Sequence, residues 1–539
     1  MKPYMKLCMP LRVRALATAI AAGALLATAP VHAQRASSPT ASAVRPAVDA
    51  WRRANERRIL DDAFAFFAMP NIASDSVGIR RVAAHLLDQF GARGFTTALL
   101  ESPTGGPPAV FAERLVPGAT RTIVLYAHYD GQPVAGAPWD GDPFTPALRR
   151  FTNGVGGEAV PLPEPGATTD PALRIFARSA SDDKGPIVAM LAAFDALAAT
   201  DQAPTVNVKV FLEGEEEAGS QHLGDMLRAH AERLQADAWF FFDGPVHVSG
   251  APQVVLGVRG VVGVEVTLYG ASRPLHSGHY GNWAPNPAVA VSHLVASMRD
   301  RDGRITIAGF HDDVRAPTLD EVTAGRALSA TDDSVRRSLG LTRTEANGAA
   351  LGERIMQPAL NIRGLRAGGV GPQAANAVPT SASVSIDFRL VPDQSPSRLR
   401  DVVNAHIRAQ GYDLVTDPSA AASRADRERV ALVQWDDGYR SVRTPFEAPV
   451  IAATQQVVAG VYGRAPFVAP TLGGSLPLFH FADVFPGVPL VTVPTVNADN
   501  SQHAPNENLR VGNLWDGIAL VAAMVTELAP AWERVTVVP

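Results

Sequence analysis

The sequence predicts an α/β protein, a layered mixed sheet with helices on its faces, interrupted by a smaller α+β insert. Three observations predict it. Short apolar runs at 122–127, 206–212 and 238–242 read as buried strands, and helical patterns separate them. Between about 258 and 440 the character shifts to strands at 262–268, 382–390 and 430–435 with amphipathic helices between them. The remainder, 441–539, returns to the first pattern, so the layered domain is expected over 49–257 and 441–539 with 258–440 inserted. No internal repeat is visible.

The chain opens with a basic segment carrying Lys2, Lys6, Arg12 and Arg14, then an apolar stretch at 15–27, then Val31-His32-Ala33. That order reads as a secretory signal peptide over 1–33, cut after Ala33, and implies export to the periplasm or the medium. No later stretch is expected to span a membrane. The one cysteine, Cys8, would leave with the leader. The mature chain then offers no disulfide, thiolate ligand or cysteine nucleophile. The net charge of -5 gives no electrostatic case for nucleic acid or an anionic membrane.

Residues 34–48 are rich in Ala, Ser and Pro and are expected to be a disordered lead-in. From 49 to 91 the pattern is helical, with Phe64, Phe67, Leu86, Leu87 and Phe90 on apolar faces. Further helices are expected at 186–199, 222–234, 287–299, 396–410, 449–461 and 514–528, and a strand at 489–494. For the helix at 396, Ser395 suits the N-cap and Pro396 the first turn. The Gly- and Pro-rich stretch 154–169 is expected to overhang the site.

The chemistry gathers at strand exits. The strand at 206–212 delivers Glu213-Gly214-Glu215-Glu216-Glu217. Crowded carboxylates repel, and they are tolerated where a cation neutralises them or a proton is retained. The plain alternative is a solvated acidic loop. Elsewhere His128 with Asp130, Asp182 with Asp183, and Asp243 lie at or beside strand ends, and His503 lies in the polar loop 497–507. Each alone has a structural explanation: a core histidine, a helix N-cap, a turn aspartate. Together they line the edge of an α/β sheet where ligands bind.

This arrangement resembles the dinuclear-zinc M20 metallopeptidases, and most closely their carnosinase-like branch. The resemblance is carried by His128-Tyr129-Asp130-Gly131-Gln132-Pro133, Trp139 with Asp142-Pro143-Phe144, Arg178 with Ser181-Asp182-Asp183-Lys184-Gly185, and the glutamate run. It continues through Asp243, Leu275-His276-Ser277-Gly278, Asp387-Phe388-Arg389-Leu390-Val391-Pro392, Gly473-Gly474-Ser475-Leu476-Pro477 and His503, in one order over nearly all of the mature chain.

The resemblance implies two Zn2+ per subunit, with Co2+ or Mn2+ as substitutes. His128 and Asp243 would hold one ion, Glu217 and His503 the other, with Asp182 bridging. Two such ions share and acidify a water. Glu216 would be the general base, and Asp130 would orient His128. The insert would be a lid that also forms a homodimer. From it His276, rather than His279, would reach the partner's site and stabilise the oxyanion. Arg389 would grip the substrate carboxylate, with Asn376, Gly474 and Ser475 also touching substrate. Lys184 would fix the acidic loop. Glu215 is left solvated or paired with an arginine.

The implied activity is hydrolysis of an amide bond beside a free carboxylate, in a dipeptide or at a peptide C-terminus. An N-acyl amino acid amidohydrolase needs the same metals and arginine. A non-catalytic binding or scaffold protein would lack a ligand or the base, and here all six residues are present.

Overall fold

The computed structural model describes residues 40–136, 138–152, 155–419, 427–474 and 476–536. The expected signal peptide and Ser475 lie outside them. Order begins earlier than the composition suggests. Helix Arg45–Phe67 starts inside the stretch expected to be disordered, because Val44 and Val48 are four apart and both bury against the core. Glu527 fixes its start, accepting from the Ser42 hydroxyl at 2.8 Å and the Val44 N–H at 2.9 Å. Helix Ser76–Ala92 follows, with the Asp75 side chain accepting from the Gly78 N–H.

The strands of the layered part are β1 (Thr96–Leu100), β2 (Ala109–Arg114), β3 (Thr122–His128), β4 (Ala147–Thr152), β5 (Val155–Ala159), β6 (Arg174–Phe176), β7 (Asn207–Glu213), β8 (Ala238–Phe241) and β9 (Gln253–Val255). The insert supplies β10 (Gly257–Val258), β11 (Gly260–Tyr269), β12 (Leu275–His276), β13 (Ala359–Arg366), β14 (Ala377–Val378), β15 (Ser381–Leu390), β16 (Asp413–Val415) and β17 (Val430–Trp435). After it come β18 (Val442–Arg443), β19 (Phe467–Ala469), β20 (Leu490–Thr492) and β21 (Asn508–Arg510).

Eight strands form the main mixed sheet in the order β1-β2-β7-β3-β8-β20-β9-β19. At its centre β7, β3, β8 and β20 are mutually parallel. Their C-terminal ends therefore share one edge. Alternation along β3 sends Ile123, Leu125 and Ala127 into one core and Val124 and Tyr126 into another, so the strand is buried on both faces. Helices Lys184–Ala199, Pro449–Tyr462 and Val511–Thr536 cover the first face, and Leu223–Ala229 and Leu478–Val484 the second. Leu223–Ala229 is shorter than the helix expected over 222–234.

The closing helix, Val511–Thr536, is longer than the 514–528 expected. At 26 residues it is long and apolar enough to cross a membrane by length and composition, but 78% of its most apolar window is buried inside the fold. It is a core helix, packed on Lys184–Ala199 and Pro449–Tyr462.

Within the stretch expected to overhang the site, the later residues pack on the first helix and the main core instead. Arg57 donates to the Pro163 carbonyl at 3.1 Å, Glu56 accepts from the Thr169 N–H at 2.5 Å, and Val160 and Leu162 pack on the main core. The first helix holds it.

A second sheet, β13-β15-β11-β17-β16, occupies the insert with a core of its own around Val264, Ile386 and Phe388. Helices Pro287–Met298 and Pro396–Ala409 pack on it. The Ser395 hydroxyl caps the latter by accepting from the Arg398 N–H at 3.2 Å, as the sequence predicts.

Candidate active site

The shared edge of the parallel strands builds the site. β3 ends in His128, whose register partner on β7 is Glu213, so the glutamate turn leaves the sheet beside the imidazole. β8 runs on to Asp243, Asp182 precedes helix Lys184–Ala199, and His503 comes from the loop before β21. His128 Nε2 lies 3.0 Å from Asp182 Oδ1 and 4.0 Å from Asp243 Oδ2. His503 Nε2 lies 3.0 Å from Asp182 Oδ2 and 3.1 Å from Glu217 Oε2. Asp182 thus turns one oxygen to each imidazole. Two groups result, His128 with Glu216 and Asp243, and Asp182 with Glu217 and His503, each presenting ligand atoms within 4.8 Å of one another.

The electrostatics are those of a negative cluster short of positive charge. Burial and the neighbouring Asp182 push Asp243 up to about 7. Burial also raises Glu216; His128 opposes this, while Asp243, Glu213 and Glu217 add to it. Hydrogen bonds to Asp182 and Glu217 lift His503 to about 10. Burial alone would lower His128, but Asp130, Asp182 and Asp243 reverse the direction. Burial alone would raise Asp182, and contact with the two histidines takes it below the usual carboxylate range. A cation placed among these groups would relieve the same repulsion. Imidazole nitrogen and carboxylate oxygen are the only donors in the two groups, a set that suits zinc, cobalt or manganese.

The supporting shell is built from distant segments. Asp130 Oδ1 stands 3.4 Å from His128 Nδ1, as expected, and its carboxylate also accepts the backbone N–H groups of Glu216 and Glu217, each at 3.1 Å. One buried aspartate therefore sets both the imidazole and the glutamate turn. Gln132 donates to Glu217 Oε2 at 2.6 Å and Gln502 to Asp182 Oδ2 at 3.3 Å.

The insert's expected contributors sit on its own ribbon and sheet. His276 is exposed on β12 opposite Ala377, and the Ser277 N–H donates to the Asn376 carbonyl at 2.9 Å. His276 and Asn376 thus share one ribbon, with the His279 ring 4.6 Å from that of His276. Arg389 on β15 donates to Asp387 Oδ2 at 3.1 Å and stands near Arg259. Arg259 in turn donates to the Gly473 carbonyl at 3.0 Å, beside the exposed Gly474.

Residues 124–527 match the model of peptidase family M20/M25/M40. The chain belongs to that family. It is a peptidase. The Cys-Gly metallodipeptidase dug1 of Schizosaccharomyces pombe is 26% identical over 431 residues, covering 78% of this chain and 83% of the relative. The Beta-Ala-His dipeptidase of Homo sapiens is 24% identical over 482 residues, covering 86% of each chain. Among solved structures, an M20 family metallo-carboxypeptidase from Sulfolobus solfataricus superposes with a TM-score of 0.69 at 27% identity, covering 87% of this chain and 99% of that one. Human carnosine dipeptidase 1 shares the fold, with a TM-score of 0.68 at 22% identity, covering 91% of this chain and all of the other.

Three features of this M20 peptidase differ from expectation. Glu507, not singled out in the sequence, is buried and accepts from the N–H groups of Ser179, Ser181 and Asp182, the Ser181 hydroxyl and Arg178 Nη1, all at 2.8–2.9 Å. It ties the Asp182 loop to the His503 loop. Its four-residue distance from His503 was the only sequence signal. Lys184 does not brace the acidic loop. Its Nζ donates to the Phe66 and Met69 carbonyls, at 3.1 and 2.6 Å, closing the C-terminus of the first helix. Glu215 is neither solvated nor paired with arginine. It is buried and accepts from the His222 N–H at 2.5 Å, with the His222 ring Nδ1 2.8 Å away.

Proposed function

We propose that this peptidase is an exported, two-metal dipeptidase that cuts the amide bond next to a free carboxylate. The observation that carries the reading is the convergence of six side chains from five separate segments into two adjoining nitrogen-and-oxygen groups. The dipeptidase names of both curated relatives support the substrate class. In this reading His128 and Asp243 hold one ion, Glu217 and His503 the other, and Asp182 serves both. Zinc is the ion the donor set favours, and the pair would supply Lewis-acid activation of a water and of the scissile carbonyl.

The chain's own residues do the rest. Glu216 accepts the water's proton and returns it to the leaving amine, and Asp130 holds Glu216 in place through its backbone. Arg389 orients the substrate by its carboxylate, and Asn376 and the Gly474–Ser475 backbone add donors. His276 serves the oxyanion from a second copy of the chain, since the reading places the dimer interface on the insert.

The test is metal content together with a panel of dipeptides and N-acetyl amino acids. About two zinc per chain and faster dipeptide cleavage support the reading. Faster cleavage of N-acetyl amino acids replaces it with an aminoacylase. Glu216→Gln is expected to keep its metal while kcat falls by about 10²–10⁴; an unchanged kcat removes Glu216 as the base. Mass spectrometry of the exported chain is expected to find Gln34 at its N-terminus.

A further inference from the structure

Glu215 belongs to neither metal group, yet it is buried directly before the proposed base. Its backbone carbonyl accepts the N–H groups of Ala218, at 3.1 Å, and Ser220, at 2.9 Å. One carboxylate oxygen accepts the His222 N–H at 2.5 Å, and the other stands 2.8 Å from His222 Nδ1. A carboxylate accepts rather than donates, so the imidazole presents its N–H from Nδ1. The turn that carries Glu216 and Glu217 is therefore closed on itself. Its first residue reaches forward to His222 with the side chain and holds the residues between with the carbonyl.

Two clamps act on this turn. Asp130 accepts the N–H groups of Glu216 and Glu217, each at 3.1 Å. His222 holds Glu215, one residue earlier. The Glu216 carbonyl in turn accepts the Gly219 N–H at 2.9 Å. The helix Glu216–Ala218 spans three residues, too few to present a packed face of its own. Hydrogen bonds, rather than packing, set where the Glu216 carboxylate points.

The surroundings leave room for the His222 ring and little else. The connection between β1 and β2 lies against it. A Cβ on Gly106 would come within 2.5 Å of His222 Nδ1 and 3.1 Å of Glu215 Oε2, and Gly106 has a φ of +87° that disfavours a side chain in any case. From the same connection the Ser102 hydroxyl donates to the His222 carbonyl at 3.2 Å. We infer that His222 is a positioning residue for the base: its ring holds Glu215, and through Glu215 it fixes the turn from which Glu216 meets the water. The inference rests on the reading of Glu216 as the base and deepens it.

The experiment measures kcat and KM per metal-loaded chain for the parent, His222→Ala, His222→Asn and His222→Gln, on the fastest substrate of the panel above. The Asn amide reaches the position of Nδ1, and the Gln amide that of Nε2. The Ala and Gln variants are expected to lose about 10–100-fold in kcat with KM within about twofold of the parent, since a displaced base leaves substrate binding alone. The Asn variant is expected to stay within about threefold of the parental kcat. A pair that only stabilised the fold would lower the melting temperature and leave kcat per loaded chain unchanged. In the metal-free chain, amide exchange at Ala218 and Ser220 is expected to quicken in the Ala variant and not in the Asn variant. Should the Ala variant fail to fold, the comparison of Asn with Gln decides. Parental kcat in His222→Ala, or equal kcat in the Asn and Gln variants, overturns the inference. Glu216→Gln, measured beside them, separates the two readings. Loss of kcat there with none in the His222 variants removes the positioning role and leaves the base standing, while an unchanged kcat there removes both.

Discussion

Glu507 shows how much of this site depends on a residue that touches none of the proposed metal positions. It accepts three backbone N–H groups, one hydroxyl and one guanidinium, so the loop that aims Asp182 has the geometry Glu507 imposes. Glu507→Gln puts an amide NH2 where an acceptor oxygen stood and leaves buried donors unmatched. Metal affinity is expected to fall about 10–100-fold, measured by chelator competition; an unchanged affinity would confine Glu507 to stability alone. The acid groups give a second expectation at this scale. In the metal-free chain Asp243 sits at about 7 and Glu213 at about 8, both raised first by burial, against ordinary values of 3.8 and 4.5. Between pH 4.5 and 7 the folded chain keeps protons that the unfolded chain has lost, so stability falls as pH rises. The metal-free protein should therefore melt lower at pH 7 than at pH 5. Loaded metal should flatten that slope by replacing the proton on Asp243. A rising melting temperature over this range would contradict the assignment.

At the scale of elements, the site depends on where helices and strands stop. The parallel strands β7, β3 and β8 end together, which places three chain exits within reach of one another. Lys184 locks this arrangement from behind. It is fully buried, burial takes it down to about 7, and it satisfies two carbonyls at the end of helix Arg45–Phe67 while opening helix Lys184–Ala199. Lys184→Met keeps the apolar stem and removes both hydrogen bonds, which should cost about 1–3 kcal/mol in denaturant unfolding. A loss well below that range would mean water takes over the two carbonyls. The sequence made the strands readable, since apolar runs bounded by turn residues are local signals. It also showed that Lys184 was unusual, one of four lysines among 48 basic residues. It could not name Lys184's partners, which lie more than a hundred residues away and carry no side-chain signature.

Over the whole molecule, the two candidate metal groups gather at the edge of the main sheet, while His276 and Asn376 sit exposed at the ribbon formed by β12 and β14. The proposed dimer gives these residues a purpose, and mixing tests it. A His276→Ala chain keeps its own metal groups, and a Glu216→Gln chain keeps its own His276. If His276 acts across the interface, co-refolding the two inactive variants should restore about half of parental activity per mixed dimer, hence about a quarter in a random mixture. No recovery would place His276 in its own chain's site or outside catalysis.

The sequence by itself determined the layered fold with its insert, the six side chains that converge, and the family they point to. Each of these is written locally, as a run of apolar residues, a carboxylate beside a glycine, or a histidine at a strand exit. The tertiary structure alone decided that Glu507 joins two loops, that Glu215 answers to His222, that Lys184 closes a helix and that the last helix belongs to the core. Those outcomes are choices of partner among residues far apart in the chain, and burial settles them, because a polar group removed from water must take whichever complementary group the packing brings to it.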